Sequence, residues 1–358
     1  MADILRRPMR FGVVGCGSIA QTVHLPVISA LSNAKLEAVC DVYESVARQV
    51  GKKYDVRYFT DWNELMDEMD LDAVSICTPH DMHVPISVEA LGRDINVLCE
   101  KPLSRSLLQA RELVECEKRS KANLMVAYMW RYDPAIEFVE NLFANKEIGQ
   151  PLISDLTCFL SDRYPRGCES VDCRIMSSYF EPVIHPNEEE RPSYDSQERV
   201  PGDAIIFSTT LGWMSHWGNL LRGLCGEVGE IVSARESEIG GCRGGVVVIE
   251  HKGGSISSFT ITDGPRDSWN TLLQMQCTQG GLEIEFPKHT RLRSPAFVKV
   301  HTKDRSYSPF LSFAYRYAAQ YKHFISCLTD RKPFKTGAED GLKDVEMLHS
   351  IANRLSEK

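Results

Sequence analysis

The chain has 358 residues with 41 basic and 49 acidic side chains, a formal net charge of −8. That length exceeds one comfortable core and predicts two domains. The charge balance, without a dense basic run, excludes a nucleic-acid partner, and no apolar stretch approaches the ~20 residues that a membrane span needs.

In chain order, the basic residues of MADILRRPMRF precede an apolar run that reads as a first strand, Arg10 to Val14, and not as a secretion leader. A cytoplasmic protein is expected. The strand runs into Gly15-Cys16-Gly17-Ser18-Ile19-Ala20. In a G-x-G-x-x-A turn the first glycine permits the tight bend, the second lets backbone N–H groups approach a pyrophosphate, and the alanine keeps the helix close to the strand. The anion then meets the positive end of the helix. A surface glycine turn is the competing reading. A second strand, Leu36 to Cys40, ends in Asp41, twenty-one residues past Ala20. A carboxylate there accepts hydrogen bonds from the adenosine ribose hydroxyls and repels a 2′-phosphate, so NAD is favoured over NADP. A helix-capping role is the alternative for Asp41.

Further strands at Ala73 to Cys77, Asn96 to Cys99 and Asn123 to Ala127 alternate with helical patterns, which predicts a doubly wound parallel sheet. Ser106 and Gln109 form a capping box, and Asp133-Pro134 marks another helix start near a domain junction. This places a Rossmann domain over 1–130 and a second domain over 131–358. The strand at Asn96 leads directly into Glu100-Lys101-Pro102. A lysine at the carboxyl end of a parallel strand faces the ligand crevice of such sheets, where its ammonium stabilises a developing alkoxide.

From Leu152 the pattern changes to alternating runs. Val246 to Glu250 and Ser255 to Ile261 flank Gly253-Gly254, while Leu272 to Cys277 and Leu282 to Phe286 flank Gly280-Gly281. These predict hairpins in a large, open, mainly antiparallel sheet within an α+β domain. The segment 161–201 reads as a long loop, with Glu188-Glu189-Glu190 as solvated surface. Of the twelve cysteines, Cys40, Cys77, Cys99 and Cys277 fall in strand-like runs as small hydrophobes. Cys168, Cys173 and His185 have poor zinc spacing, so no metal and no disulfide are expected. Closing helices over about 313–358 start with a Thr336/Glu339 capping box and bury a stripe of Leu342, Val345, Leu348, Ala352 and Leu355.

Taken together, GCGSIA, Thr78-Pro79 followed by His83, Glu100-Lys101-Pro102 and Arg131-Tyr132-Asp133-Pro134 resemble the glucose-fructose oxidoreductase/inositol dehydrogenase (Gfo/Idh/MocA) family across essentially the whole chain. The resemblance implies NAD(P)-linked oxidation or reduction of a sugar, cyclitol or related polyol, and a homodimer or homotetramer built through the second sheet. It implies cofactor contacts from Gly15, Gly17, Ser18, Ile19, Ala20, Asp41, Thr78, Pro79, His83, Glu100, Lys101 and Arg131. The family's Asp-x-x-x-His helix pair corresponds to Gly212 and His216, which makes His216 the residue that exchanges the hydroxyl proton beside Lys101. A core histidine is the competing reading of this segment. Lys101, Trp130, His216 and Asn219 are expected to meet substrate.

Four positions depart from the family pattern. Gly212 and Asn219 replace carboxylates, His80 stands where asparagine is common, and Trp130 where arginine is common; Asp203 is a candidate spatial substitute for the missing acid. Two alternative functions stand beside this one: an NAD-retaining glycosidase acting by transient oxidation and elimination, which the resemblance and the long 161–201 segment suggest, and a non-catalytic NAD-binding sensor, which Gly212 and Asn219 suggest.

Overall fold

A computed structural model describes residues 7–161, 205–240, 242–264, 270–288, 294–311 and 315–357. The expectations for Cys168, Cys173, His185, Glu188-Glu189-Glu190, Asp203 and most of the 161–201 loop lie outside the described residues. The chain divides into two compact units, one taking in residues up to Tyr128 and again Tyr317–Val345, the other starting at Met129 and including Glu346 onward.

In the first unit, β1 (Met9–Val14), β2 (Ala34–Cys40), β3 (Arg57–Phe59), β4 (Ala73–Ile76), β5 (Asn96–Cys99) and β6 (Leu124–Val126) form a sheet in the order β3-β2-β1-β4-β5-β6. Every pairing is parallel. Parallel strands are covered on both faces and so read as continuous apolar runs; Phe11, Val13, Val74, Ile76, Val97 and Leu98 are all fully buried. The strand β3 escaped the sequence reading because it has three residues, of which only Phe59 is buried. The helix Leu107–Arg119 starts as expected, its Gln109 N–H donating to Ser106 Oγ at 3.3 Å.

The compact units divide the closing segment differently from the expected boundary. The closing segment does not belong wholly with residues 131–358, because Tyr317–Val345 packs in the first unit. Tyr321 and Phe324 lie 5.6 and 6.0 Å from the Phe11 ring. The Thr336 carbonyl accepts from Val126 N–H at 2.8 Å and its hydroxyl donates to Val126 C=O at 2.7 Å. These bonds satisfy the edge strand β6, whose three residues are all buried and whose outer backbone groups need partners. Helical periodicity shows which face of a helix is apolar, not which sheet it covers.

The second unit carries an eight-stranded sheet in the order β14-β13-β12-β11-β7-β10-β9-β8. Its strands are β7 (Pro151–Ser161), β8 (Val228–Ile239), β9 (Cys242–His251), β10 (Ile256–Gly264), β11 (Asn270–Cys277), β12 (Gly280–Phe286), β13 (Phe297–Thr302) and β14 (Ser306–Tyr307). All pairs are antiparallel except β7 with β10. Leu156, Cys158, Val247, Ile249, Phe259 and Ile261 are buried on one face, whereas Ile153, Phe159, Val246 and Ile256 stay exposed on the other. The first hairpin turns at Gly253-Gly254, with Gly254 at φ +84°. The second turns at Thr278-Gln279, and Gly280-Gly281 instead open β12. A Cβ on Gly280 would sit 2.4 Å from the His301 carbonyl oxygen on β13, so glycine there answers a close strand and not a bend.

Two helices of this unit carry or adjoin residues expected at the site: Pro134–Ala144, capped as expected by the Asp133 carboxylate on Ala135 N–H at 3.0 Å, and Ile205–Cys225. Among the described residues all ten cysteines are free thiols, no His/Cys/Asp/Glu cluster suits a metal, and no helix is long and apolar enough to cross a membrane.

Candidate active site

The register of the first sheet aligns its chemistry. Cys40 pairs with Val14, Val14 with Ile76, and Ile76 with Cys99. The next residue on each strand is therefore Asp41, Gly15, Cys77 and Glu100, all leaving the same edge, with Lys101 one residue further. This is the carboxyl edge, and β1 and β4 flank the point where the strand order reverses, the position at which doubly wound sheets hold ligands.

Gly15 is held at φ +90°, and a Cβ there would lie 2.7 Å from both the carbonyl carbon and oxygen of Cys77 and 2.8 Å from Thr78 N. Only glycine fits. The chain then turns helical at Ser18 and continues to Ala30 through a π-helical turn at Ala20–His24, with Ser18 exposed and Ala20 fully buried against the sheet. The Asp41 carboxylate is buried and accepts from Cys16 N–H at 2.8 Å and Tyr43 N–H at 3.0 Å. It ties the glycine turn to the end of β2 and precedes the helix Glu44–Tyr54. The buried Thr78 hydroxyl beside Gly15 lacks a protein hydrogen-bond partner. A buried polar atom in that state costs free energy unless something else meets it, and the site thus suits a phosphate-bearing dinucleotide. Pro79 is exposed and leads into a short turn at His80–Met82.

Lys101 is partly exposed yet densely surrounded, and burial lowers its pKa while the charge of Glu100 works against that. Burial pushes Glu100 up, but hydrogen bonding and charge from His24, with Lys101 and His83 behind, outweigh it and hold the carboxyl below its ordinary range. His24 Nε2 lies 2.9 Å from Glu100 Oε1, its Nδ1 2.7 Å from the Tyr321 hydroxyl, and that hydroxyl 2.7 Å from Ser75 Oγ. The sequence reading missed His24, Ser75 and Tyr321. His24 follows the glycine turn at helical spacing and could have been suspected; Tyr321 comes from nearly 300 residues away and carried no local signal.

Two expected cofactor contacts act differently. His83 is fully buried, with Nδ1 2.8 Å from Pro102 O and Nε2 3.1 Å from Thr78 O, so it links the two loops and presents no ring edge to a ligand. Burial keeps it neutral-leaning, which allows only one of the two carbonyls a true N–H donor. Glu100 is likewise engaged with His24. His80 packs edge-on to His83 at 5.6 Å and is driven down to about 2 by burial and by His83, Lys101 and Arg105, so it stays an uncharged ring beside the lysine.

In the second unit His216 is buried on the helix Ile205–Cys225, with Gly212 one turn before and Asn219 almost one turn after on the same face. Asn219 is fully buried and accepts from Arg131 Nη1 at 3.3 Å, while Arg131 Nη2 lies 3.7 Å from Glu140. A Cβ on Gly223 would fall 2.4 Å from the Arg131 guanidinium carbon, so glycine on this helix makes room for the arginine. Asn219 therefore serves Arg131 and is not open to substrate. Trp130 needs the same correction: it is 1% exposed, stacks on Trp217 at 5.4 Å, meets Phe286 edge-on at 5.1 Å and lies 4.0 Å under the Arg316 guanidinium. That arginine pairs with the fully buried Asp133. Trp130 is core. Its replacement by alanine should destabilise the protein by roughly 3–5 kcal/mol in urea unfolding, whereas a substrate-contact role would raise KM with little change in stability.

A glycine turn on the central strand, an acid after the second strand and a lysine at the carboxyl edge make up the arrangement of a Rossmann-type unit. Residues 9–128 match the GFO_IDH_MocA family model, described as "Oxidoreductase family, NAD-binding Rossmann fold". It is 29% identical over 180 residues to an inositol 2-dehydrogenase of Salmonella typhimurium, covering 49% of this chain and 52% of that protein. The chain thus spans about half the length of the curated relatives it matches. Two solved oxidoreductases share the fold over 98% of this chain and 96% of their own. One, from Desulfitobacterium hafniense and described as NADPH-dependent, has TM-score 0.79 at 15% identity. The other, from Agrobacterium radiobacter in complex with NAD+, L-tartaric acid and magnesium, has TM-score 0.73 at 18% identity.

Proposed function

We propose that the protein is an NAD-linked oxidoreductase that moves hydride between nicotinamide and a hydroxyl or keto carbon of a sugar, cyclitol or related polyol. The observation that carries this reading is the alignment of Gly15, Asp41, Thr78 and Lys101 along one sheet edge; the inositol 2-dehydrogenase relatives supply the substrate class. Bound NAD would supply the hydride acceptor. Gly15, Gly17, Ser18, Ile19 and Ala20 would present backbone N–H groups to its diphosphate, Asp41 would take the adenosine ribose, and Thr78 and Pro79 would border the turn. Lys101 would donate a hydrogen bond to the reacting oxygen and stabilise negative charge there as the C–H bond breaks. His216 would take the hydroxyl proton in oxidation and return it in reduction.

The exposed apolar residues Ile153, Phe159, Val246 and Ile256 on the outer face of the eight-stranded sheet support association of two copies through that face.

Screening sugars, inositols and tartrate-like hydroxy acids with NAD and with NADP, by nicotinamide absorbance, tests the reading. Reduced NAD forming with at least one polyol is the expected result; sugar release without net cofactor reduction would favour the glycosidase. Asp41→Ala should weaken NAD roughly 10–100-fold, the ~1.5–3 kcal/mol of hydrogen bonds to a charged group, and leave NADP less affected in calorimetric titration. Equal losses for both cofactors would reduce Asp41 to an anchor for Cys16 N–H.

A further inference from the structure

On the eight-stranded sheet, Ser306 of β14, His301 of β13 and Glu283 of β12 stand in line on one face. Ser306 Oγ lies 2.8 Å from His301 Nδ1, and His301 Nε2 lies 3.6 Å from Glu283 Oε1. The register builds this line. Phe297, Lys299 and His301 alternate with the buried Val298 and Val300, and Glu283 sits between the buried Leu282 and Ile284, so both side chains leave the solvent face. Gly281, directly opposite His301, offers no side chain, which lets the ring lean toward Glu283, its diagonal neighbour on β12. Thr302 N–H donates to the Arg305 carbonyl at 2.9 Å and closes the hairpin. Ladder bonds alternate, so the next pair, His301 with Ser306, is one in which side chains approach and backbone N–H groups turn away from the partner strand. The Ser306 N–H therefore faces the outer edge of β14, and among the described residues no strand lies beyond it.

We propose that Ser306, His301 and Glu283 form a second, hydrolytic site that transfers small acyl groups from activated esters to water. Ser306 Oγ attacks the ester carbonyl carbon while its proton passes to His301 Nδ1; the bond to the alcohol oxygen breaks, and that oxygen takes the proton. Water, giving its proton to the same nitrogen, then cleaves the acyl-serine, so one ester and one water yield one acid and one alcohol. Glu283 is a positioning residue: it draws the ring N–H to Nε2 and leaves Nδ1 open to the serine proton. The Ser306 N–H donates to the carbonyl oxygen as it gains negative charge. The gap to Glu283 is longer than a hydrogen bond, a slackness common in catalytic groups before substrate arrives. Side-chain exposures of 37% for His301 and 40% for Glu283 admit an ester and also dilute the electrostatic gain. The strand β11 separates these residues from β7, β10 and β9, whose exposed apolar side chains form the contact face proposed above.

The test labels the full-length protein with a fluorophosphonate, which phosphonylates an activated serine with loss of fluoride, and maps the product by peptide mass spectrometry. Ser306 should label at least about tenfold faster than the exposed Ser237 of β8, below the ~10²–10⁴ of a general base in an enclosed site. That comparison lies within the wild-type chain and needs no variant to fold. His301→Gln should remove the advantage, and Glu283→Gln should reduce it about threefold, as for an exposed ion pair. An aryl acetate in molar excess should be consumed well beyond one equivalent per chain by wild type, and Ser306→Ala should lose that excess turnover. Ser306 labelling no faster than Ser237, or a rate unmoved in His301→Gln, would overturn the proposal. So would acylation that stops at one equivalent per chain.

Discussion

Lys101→Met should lower kcat/KM by about 10²–10³-fold, the range seen when a single donor to a developing oxyanion is removed, while NAD binding stays within roughly threefold, on the order of 0.6 kcal/mol. The separation follows from position. Lys101 leaves the carboxyl edge one residue beyond the register line that carries Gly15 and Asp41, and neither of those residues depends on its side chain. Methionine preserves the length and apolar stem of lysine and removes the charge, so packing is kept. Steady-state rates with the best polyol of the screen, paired with calorimetric NAD titration, read both halves. Loss of NAD affinity comparable to the loss of rate would mean that the lysine holds cofactor and does not act on the reacting oxygen.

Gly15→Ala should abolish measurable NAD binding, a loss of at least about 10²-fold, and destabilise the fold by about 1–3 kcal/mol. Two separate costs converge at this position: a backbone at φ +90° and a Cβ 2.7 Å from the rigid carbonyl of Cys77. The Cys77 N–H is already bonded to Val14 O at 2.7 Å and Gly15 N–H to Cys40 O at 2.8 Å, so the turn cannot yield without breaking the sheet edge. Titration and urea unfolding of the same sample separate the effects. A stable Gly15→Ala protein that binds NAD as wild type would show that the diphosphate lies elsewhere.

The parallel sheet was legible because its strands are buried on both faces and so appear as unbroken apolar runs, and because glycine and proline punctuate its turns. The positions of the glycine turn, Asp41 and Lys101 at the carboxyl edge were legible for a related reason: each sits at the end of such a run. The failures have a common physical origin. Trp130 and Asn219 were read as ligand contacts from their alignment with family positions, but their burial is decided by Trp217, Phe286, Arg316 and Arg131, which no local pattern brings together. The placement of Tyr317–Val345 in the first unit, and the hydrogen bonds of Tyr321 within it, depend on sequence separations of 246 and 297 residues. The glycine pair Gly280-Gly281 looked like a turn because glycine serves both bends and close backbone approaches, and sequence does not distinguish the two.

Isotope transfer tests the central claim most directly. A polyol carrying deuterium on its carbinol carbons, incubated with NAD and the wild-type protein, should deliver deuterium to nicotinamide C4, and Lys101→Met should suppress the transfer by the factor stated above. Turnover of that polyol with no deuterium on the recovered cofactor, or equal transfer by the Lys101→Met protein, would contradict the account.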